Sequence, residues 1–217
     1  IITAGFAETG DAGRAIQDAM LAKVRAAGMR MVGPNCLGLL NADPAIALDA
    51  TFAPTWPPHG NVAFSSQSGA VGLAILDYAK ELGIGIHQFV SIGNKADVSG
   101  NDLIEYWGAD PQVQVVLLYL ESFGNPARFL ATCQRVAREK PIVAVKSGRT
   151  GAGARAASSH TGSLAGNEVA VEALITQAGV IRTDTIEELF DVAMVLANQP
   201  VPRGNRVALL TNAGGPG

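Results

Sequence analysis

The stretch that decides the fold is NVAFSSQSGAVG, from Asn61 to Gly72. An apolar run passes here through small polar residues directly into a sequence with helical spacing, which is typical of a βα unit. The first backbone amides of such a helix have no partner within it, and the helix dipole adds a preference for negative charge. The stretch therefore fits an anion site, and it fits equally well an ordinary βα turn capped by a serine.

The same alternation of strand and helix continues along the chain. Further strand-like runs are IHQFVSI, VQVVLLYL, PIVAVKS and GVIRT, and helical patterns lie near 71–82, 102–107, 126–139, 167–177 and 185–198. In the last of these helices, Thr185 and Glu188 have the spacing of a capping box. Five strands with such crossovers predict an α/β fold for residues 60–199, a flavodoxin-like doubly wound parallel sheet.

The two flanks are expected to belong to other domains. Residues 1–59 contain the strand-like IITAG, a helix over 13–27 and the Pro-rich linker APTWPPHG, as in the last part of an α/β domain. Residues 200–217 contain a second linker and RVALLTNAGGPG, which is typical of a strand running into a glycine turn and predicts the start of a third α/β domain. Because no Met begins the chain, and because its last residues run from a strand into a glycine turn with nothing behind it, both ends are expected to be cut.

Composition limits the classes of partner. A net charge of −3 without a dense Lys/Arg cluster argues against nucleic acid and against an anionic membrane surface. The longest apolar runs are too short to span a bilayer. With only two cysteines, Cys36 and Cys133, and no leader sequence, a cytoplasmic location is expected. No metal site is visible in the sequence.

Two further side chains are expected at the carboxyl edge of the sheet, where ligands of open parallel sheets bind. Glu121 follows the third strand, and His160 lies in AASSHTGSLAG after the fourth, a mildly basic segment that also carries Arg149 and Arg155. A carboxylate can hydrogen-bond one nitrogen of an imidazole and leave the other nucleophilic. The pair therefore suits reversible phosphorylation of histidine, although a glutamate alone is usually a solvated loop residue and a loop histidine alone is more often structural or incidental.

Six motifs, in their order along the chain, resemble the NDP-forming acyl-CoA synthetases, relatives of succinyl-CoA synthetase: GPNCLGLLN, SSQSGAVG, SIGNKADVSGNDLIEYWGADP, LYLESF, KSGRTGAGARAASSHTGSLAG and LTNAGGPG. The resemblance extends over essentially the whole chain. It implies an acid–thiol ligase that acts in three steps. Acyl-CoA and phosphate give acyl phosphate and CoA, the acyl phosphate phosphorylates a histidine, and the phosphohistidine phosphorylates ADP or GDP.

The resemblance also implies roles for individual residues. His160 is similar to the phosphorylated histidine, and Glu121 to the carboxylate that orients it. The implied phosphate-binding residues are Ser66, Gln67, Ser68, Gly69, Ala70, Ser159, Thr161 and Gly162. The residues implied near CoA and its acyl group are Asn35, Cys36, Asn94 and Lys95. For Cys36, packing as a small hydrophobe beneath a turn is the commoner role of a free cysteine, and the implied chemistry needs no protein thiolate.

The resemblance further implies what lies outside this sequence. Residues 1–59 would end a Rossmann-like CoA-binding domain, and residues 200–217 would begin a second flavodoxin-like domain. ADP or ATP with Mg²⁺ would bind to an ATP-grasp domain or subunit, and the substrate would be a small carboxylic acid. We therefore expect an oligomer, and we expect the isolated chain not to complete the reaction.

Two other functions stay open at this point. The same module resembles part of multidomain protein lysine acetyltransferases, where it acts as a regulatory, ligand-sensing unit. The histidine is commonly lost there, so His160 favours the synthetase. A third interpretation is a CoA- or nucleotide-binding scaffold without chemistry, because doubly wound folds host many functions. A scaffold has no evident need for Glu121 paired with His160.

Overall fold

A computed structural model describes residues 1–148, 168–202 and 204–212 of the chain. The strands in these residues are β1 (Gly38–Asn41), β2 (Leu48–Thr51), β3 (His59–Ser66), β4 (Ile86–Ser91), β5 (Val115–Leu120), β6 (Ile142–Lys146) and β7 (Ile181–Thr183). The α-helices are α1 (Asp11–Ala26), α2 (Gly69–Glu81), α3 (Gly100–Ala109), α4 (Pro126–Val136), α5 (Glu168–Gln177) and α6 (Ile186–Asn198), and a 3₁₀ turn covers Ala7–Thr9.

The sheet is mixed rather than wholly parallel. Its order is β2-β1-β4-β3-β5-β6-β7. The last five strands in this order, β4, β3, β5, β6 and β7, are parallel, as predicted. Their order is that of flavodoxin-like folds. The added strands β1 and β2 pair antiparallel, and β1 is also antiparallel to β4. A connection as short as residues 42–47 allows only the antiparallel arrangement for β1 and β2.

Helices cover both faces of the sheet, so the doubly wound prediction is confirmed. Side chains of β5 alternate between the faces. Val115 and Leu117 pack with α2 and α6, whereas Val116 and Leu118 pack with α3, α4 and α5. The indole of Trp107 is fully buried on the second face. Burial on both faces explains why the central strands are continuous apolar runs rather than alternating ones.

The flanks differ from the expectation in local structure. Residues 1–5 form no strand, because only two backbone hydrogen bonds join them to residues 35 and 36, from Asn35 N–H to Thr3 O and from Cys36 N–H to Ile2 O. Residues 204–212 form no strand either, and Leu210 is fully exposed. The strands β1 and β2 join the main sheet although they lie within residues 1–59. The three-domain division itself stays a prediction.

The predicted capping box of α6 is half formed. Thr185 Oγ1 accepts a 3.1 Å hydrogen bond from Glu188 N–H, but the Glu188 carboxylate accepts from Asp184 N–H instead of Thr185 N–H.

No helix in the described part of the chain is long and apolar enough to cross a membrane.

The register of the central strands positions the site. Ser66 at the end of β3 lies beside Ser91 of β4 on one side and Tyr119 of β5 on the other. The segments that follow these three strands therefore start next to one another. They carry Gln67, Asn94 and Glu121, respectively.

Candidate functional site

A cavity of about 590 Å³ opens at the carboxyl edge of the parallel strands. The sequence-predicted residues that line it are Asn35, Cys36, Gln67, Ser68, Gly69, Ala70, Asn94, Lys95 and Glu121. Ser66 does not line it, because its side chain is fully buried and Oγ donates to the Ser68 carbonyl at 2.7 Å. The remaining predicted residues lie outside the described residues: Ser159, His160, Thr161 and Gly162.

The start of α2 forms one wall of the cavity. Ser68 is the N-cap, and its Oγ accepts from Val71 N–H at 3.4 Å. The amides of Gly69 and Ala70 lie in the first turn, where a helix supplies no acceptor for them. Together with the helix dipole, these amides favour a bound anion.

The residues after β5 form a second wall, and Gln67 holds them in place. Its Oε1 accepts hydrogen bonds from the backbone N–H groups of Glu121 and Ser122, each at 2.8 Å. Its Nε2 donates to the Ser122 carbonyl at 2.7 Å. Glu121, which is half-buried, thus presents its carboxylate from an anchored backbone.

Lysines contribute positive charge to the same edge. Lys95 has a left-handed backbone, with φ 57°, and its Nζ donates to Ser122 Oγ at 2.6 Å and to Gln67 Oε1 at 3.4 Å. Burial lowers the pKa of Lys95, while the Glu121 carboxylate acts in the opposite direction. Burial likewise lowers the pKa of Lys146 at the end of β6. The cavity therefore combines helix amides, a carboxylate and the Lys95 amine, and Lys146 lies at the end of the neighbouring strand β6.

Sequence reasoning missed a polar cluster on the far side of the cavity. Asn94 Nδ2 donates to the Glu8 carboxylate and, at 3.0 Å, to Gln17 Oε1. Asn35 Nδ2 donates to Asn94 Oδ1 at 3.3 Å. Burial raises the pKa of Glu8, but hydrogen bonds from Asn94 and from backbone amides outweigh it and hold this pKa at about 2. The only sequence signal for Glu8 was its position in the glycine-bounded turn GFAETG.

Arg14 and Ser122 also line the cavity, and neither was assigned a role from the sequence. Arg14 lies on α1, in the first 59 residues, and Ser122 directly follows Glu121. Ser122 lies within the LYLESF motif, whereas Arg14 belongs to no recognisable pattern. Their place at the cavity depends on contacts between segments far apart in sequence.

The two cysteines are poor nucleophiles here. Cys36 is 6% exposed, and its Sγ lies 3.4 Å from the Ile1 carbonyl, which accepts from it. Burial raises the pKa of the Cys36 thiol. Cys133 is fully buried in the core, and burial raises its pKa to about 12. Cys36 therefore lines the cavity as a neutral thiol and not as a reactive thiolate.

The other two histidines are remote from the cavity. His59 begins β3 and His87 lies near the start of β4, at the amino end of these strands. Their nitrogens, His59 Nε2 and His87 Nδ1, are 3.5 Å apart, and His87 Nε2 lies 3.4 Å from Asp110 Oδ2. Among the described residues, no three His, Cys, Asp or Glu side chains are grouped as metal ligands would be.

A family model described as the succinyl-CoA ligase like flavodoxin domain matches residues 59–196. The chain belongs to the NDP-forming acyl-CoA synthetase family. The ADP-forming acetate–CoA ligase of Methanocaldococcus jannaschii is 46% identical over 99% of this chain, which covers 30% of that protein. Subunit alpha of the ADP-forming acetate–CoA ligase II of Pyrococcus furiosus is 44% identical over the whole chain, which covers 47% of that subunit.

A solved synthetase structure shows the same fold. It is the dinucleotide-forming acetyl-coenzyme A synthetase 1 of Candidatus Korarchaeum cryptofilum, in complex with phosphate and ADP. It superposes with a TM-score of 0.91 at 42% identity, covering 99% of this chain and 46% of that one. The present chain thus spans less than half the length of these synthetases, and it contains their succinyl-CoA ligase-like domain.

Proposed function

We propose that this chain carries the phosphohistidine step of an ADP-forming acyl-CoA synthetase that acts on a small carboxylic acid. The observation that supports this most directly is the convergence of the α2 amides, Glu121 and Lys95 on one cavity. The segment that contains His160 leaves the sheet after β6, at the same edge of the sheet.

The proposed reaction has three steps. An oxygen of inorganic phosphate attacks the thioester carbonyl of acyl-CoA, the C–S bond breaks, and CoA leaves as a thiolate that takes up a proton. A ring nitrogen of His160 then attacks phosphorus, the P–O bond to the acyl group breaks, and the carboxylate leaves. Finally, a β-phosphate oxygen of ADP attacks the same phosphorus, the P–N bond breaks, and ATP forms.

The cavity residues have defined roles in this proposal. The amides of Gly69 and Ala70 hold the phosphoryl oxygens, and the Lys95 ammonium compensates their charge. The Glu121 carboxylate accepts a hydrogen bond from one nitrogen of His160, which leaves the other nitrogen free to attack. Asn35 and Cys36 lie where the thioester end of CoA enters.

The nucleotide is proposed to bind elsewhere, on an ATP-grasp domain or partner subunit that also brings Mg²⁺. Two facts support this division. The chain spans less than half of its relatives, and the Pyrococcus furiosus relative is named as an alpha subunit. Phosphohistidine would then carry the phosphoryl group between the two sites.

The test is to combine this chain with an ATP-grasp partner, Mg²⁺ and ATP labelled at the γ-phosphate. We expect acid-labile, alkali-stable label on the chain. His160→Asn should abolish the label. His59→Asn is the matched control and should keep the label, because His59 lies at the amino end of β3 and the cavity lies at the carboxyl end.

Other outcomes identify other functions. A full-length protein that stays unlabelled but binds acyl-CoA would contradict the synthetase and favour the regulatory module of an acetyltransferase. Ligand binding that is unaffected by His160→Asn, with no phosphorylated species, would favour a scaffold. Formation of ATP by the chain without any partner would contradict the proposed ATP-grasp requirement.

A further inference from the structure

Gln67 lines the cavity, but its side chain makes three hydrogen bonds to the protein backbone. It is only 8% exposed. Its oxygen accepts from the amides of Glu121 and Ser122, and Lys95 Nζ lies 3.4 Å from the same oxygen. Its nitrogen donates to the Ser122 carbonyl. A carboxamide oxygen has two lone pairs, so the two close amides, with the more distant lysine, leave it no capacity for a further donor.

We propose that Gln67 is a positioning residue that sets the place of the Glu121 carboxylate. This inference rests on the proposed function above, and it adds a positioning role to the phosphate contact that the sequence resemblance implied for Gln67. The three hydrogen bonds grip the backbone of residues 121 and 122 on both its donor and its acceptor side. The Glu121 side chain therefore extends from a backbone that is held in place.

The position of Gln67 in the chain connects the backbone at Glu121 to the start of α2. Gln67 directly precedes Ser68, the N-cap of α2, and its own N–H donates to the Tyr119 carbonyl at 3.2 Å. One residue thus links the amides proposed to hold phosphate to the carboxylate proposed to orient His160. The distance between the anion and the carboxylate is then fixed before substrate binds, and reactions of this kind depend steeply on such geometry.

Lys95 strengthens the same arrangement from the β4 side. Its Nζ donates to Ser122 Oγ at 2.6 Å as well as to Gln67 Oε1. The segments after β3, β4 and β5 therefore meet at Gln67 and Ser122. Loss of the Gln67 carboxamide would free the Glu121 backbone and leave Lys95 with one contact fewer.

The test compares Gln67→Met with Gln88→Met in the chain paired with its ATP-grasp partner. Both glutamines are 8% exposed, and methionine keeps their length without their hydrogen bonds. Gln88 binds Trp107 Nε1 at 2.8 Å and Asp110, away from the cavity. We expect Gln67→Met to slow labelling of the chain by about ten- to a hundredfold. Gln88→Met should change it by less than about twofold, because its contacts lie outside the site.

Two further measurements separate positioning from a general structural role. Amide hydrogen exchange at residues 121 and 122 should accelerate in Gln67→Met and not in Gln88→Met. If Gln67 acts through Glu121, Gln67→Met should slow labelling little further in a Glu121→Gln background, because the two losses share one cause. A merely structural role would make the two losses multiply.

The outcomes distinguish this inference from the proposed function. A wild-type chain that is never labelled would overturn the function and this assignment together. A labelled wild type with an equally labelled Gln67→Met variant would overturn the positioning role alone. Losses that multiply in the double variant, or unchanged exchange at residues 121 and 122, would also overturn it.

Discussion

Gly93 packs so closely against Asn35 that a Cβ atom on residue 93 would lie 2.1 Å from the Asn35 carbonyl oxygen. Gly93 also has φ 49°, a left-handed conformation. The segment after β4 therefore lies directly on residues 33–35, where Asn94 N–H donates to the Pro34 carbonyl at 2.9 Å. This contact brings Asn35 and Asn94 to the same cavity.

We expect Gly93→Ala to lower the free energy of unfolding by about 1–3 kcal/mol through the clash, because the added methyl group forces two backbone segments apart, and by about 1–2 kcal/mol more through left-handed backbone strain. Binding of acyl-CoA should weaken with it, since the same segments line the cavity. Urea unfolding measures the first effect and equilibrium titration the second.

Gly83→Ala is the matched control. Gly83 has φ 68°, but nothing lies within 4 Å of an added Cβ. It should therefore show only the backbone strain, about 1–2 kcal/mol, and keep acyl-CoA binding. Equal binding in the two variants would contradict a role for the Gly93–Asn35 contact in shaping the cavity.

Asp97 should make stability depend on acid pH. Its carboxylate is 3% exposed and accepts hydrogen bonds from Arg30 Nε at 2.7 Å, Met31 N–H at 2.9 Å and Arg25 Nη2 at 3.0 Å. The hydrogen bond from Arg30 is the main cause that lowers the pKa of Asp97 from 3.8 to about 2, against the effect of burial. A carboxyl whose pKa is lower in the folded state stabilises the fold above its unfolded pKa.

This stabilisation should be present at pH 7 and lost as the pH falls from about 4 to about 2. Asp97→Asn should cost on the order of 2 kcal/mol at pH 7 and flatten the loss of stability across that acid range. Urea midpoints at several pH values measure both effects. Glu8, whose pKa is also about 2, affects the acid stability of the wild type and of Asp97→Asn alike. The difference in stability between these two proteins at each pH therefore reports on Asp97.

Asp18→Asn on the exposed surface of α1 is the control for removing one negative charge. It should leave both the stability and its pH dependence within about 0.5 kcal/mol of the wild type. An acid profile for Asp97→Asn that runs parallel to the wild type would contradict the role assigned to this carboxylate.

Both thiols should react slowly in the folded chain. Burial raises the pKa of Cys36 and of Cys133, so the thiolate that alkylating reagents need is scarce at pH 8. Mass spectrometry after iodoacetamide treatment should find little modification in the native chain and two modified cysteines in denaturant. Cys36→Ala should keep phosphohistidine labelling, because no step of the proposed reaction uses a protein thiolate. Fast native alkylation of Cys36 would contradict its burial.

The parallel part of the fold was predictable because its strands are buried on both faces. Runs such as VVLLYL in β5 carry that signal locally. The strands β1 and β2 were not predicted, since GLLN and LDAT are too short to show a period and β1 pairs with β4, more than forty residues away. Likewise, the apolar RVALL lacks strand structure among the described residues, which shows that composition alone does not supply a pairing partner.

By itself, the sequence determined the five parallel strands, the helices on both faces, and the edge where Ser68, Lys95 and Glu121 would meet. These features follow from local spacing and from the rule that parallel strands share one carboxyl edge. Only the tertiary structure decided that Glu8 and Gln17 hold Asn94, and that Gln67 grips the backbone at Glu121. Such contacts join segments far apart in the chain through side-chain direction and distance, which residue order does not encode locally.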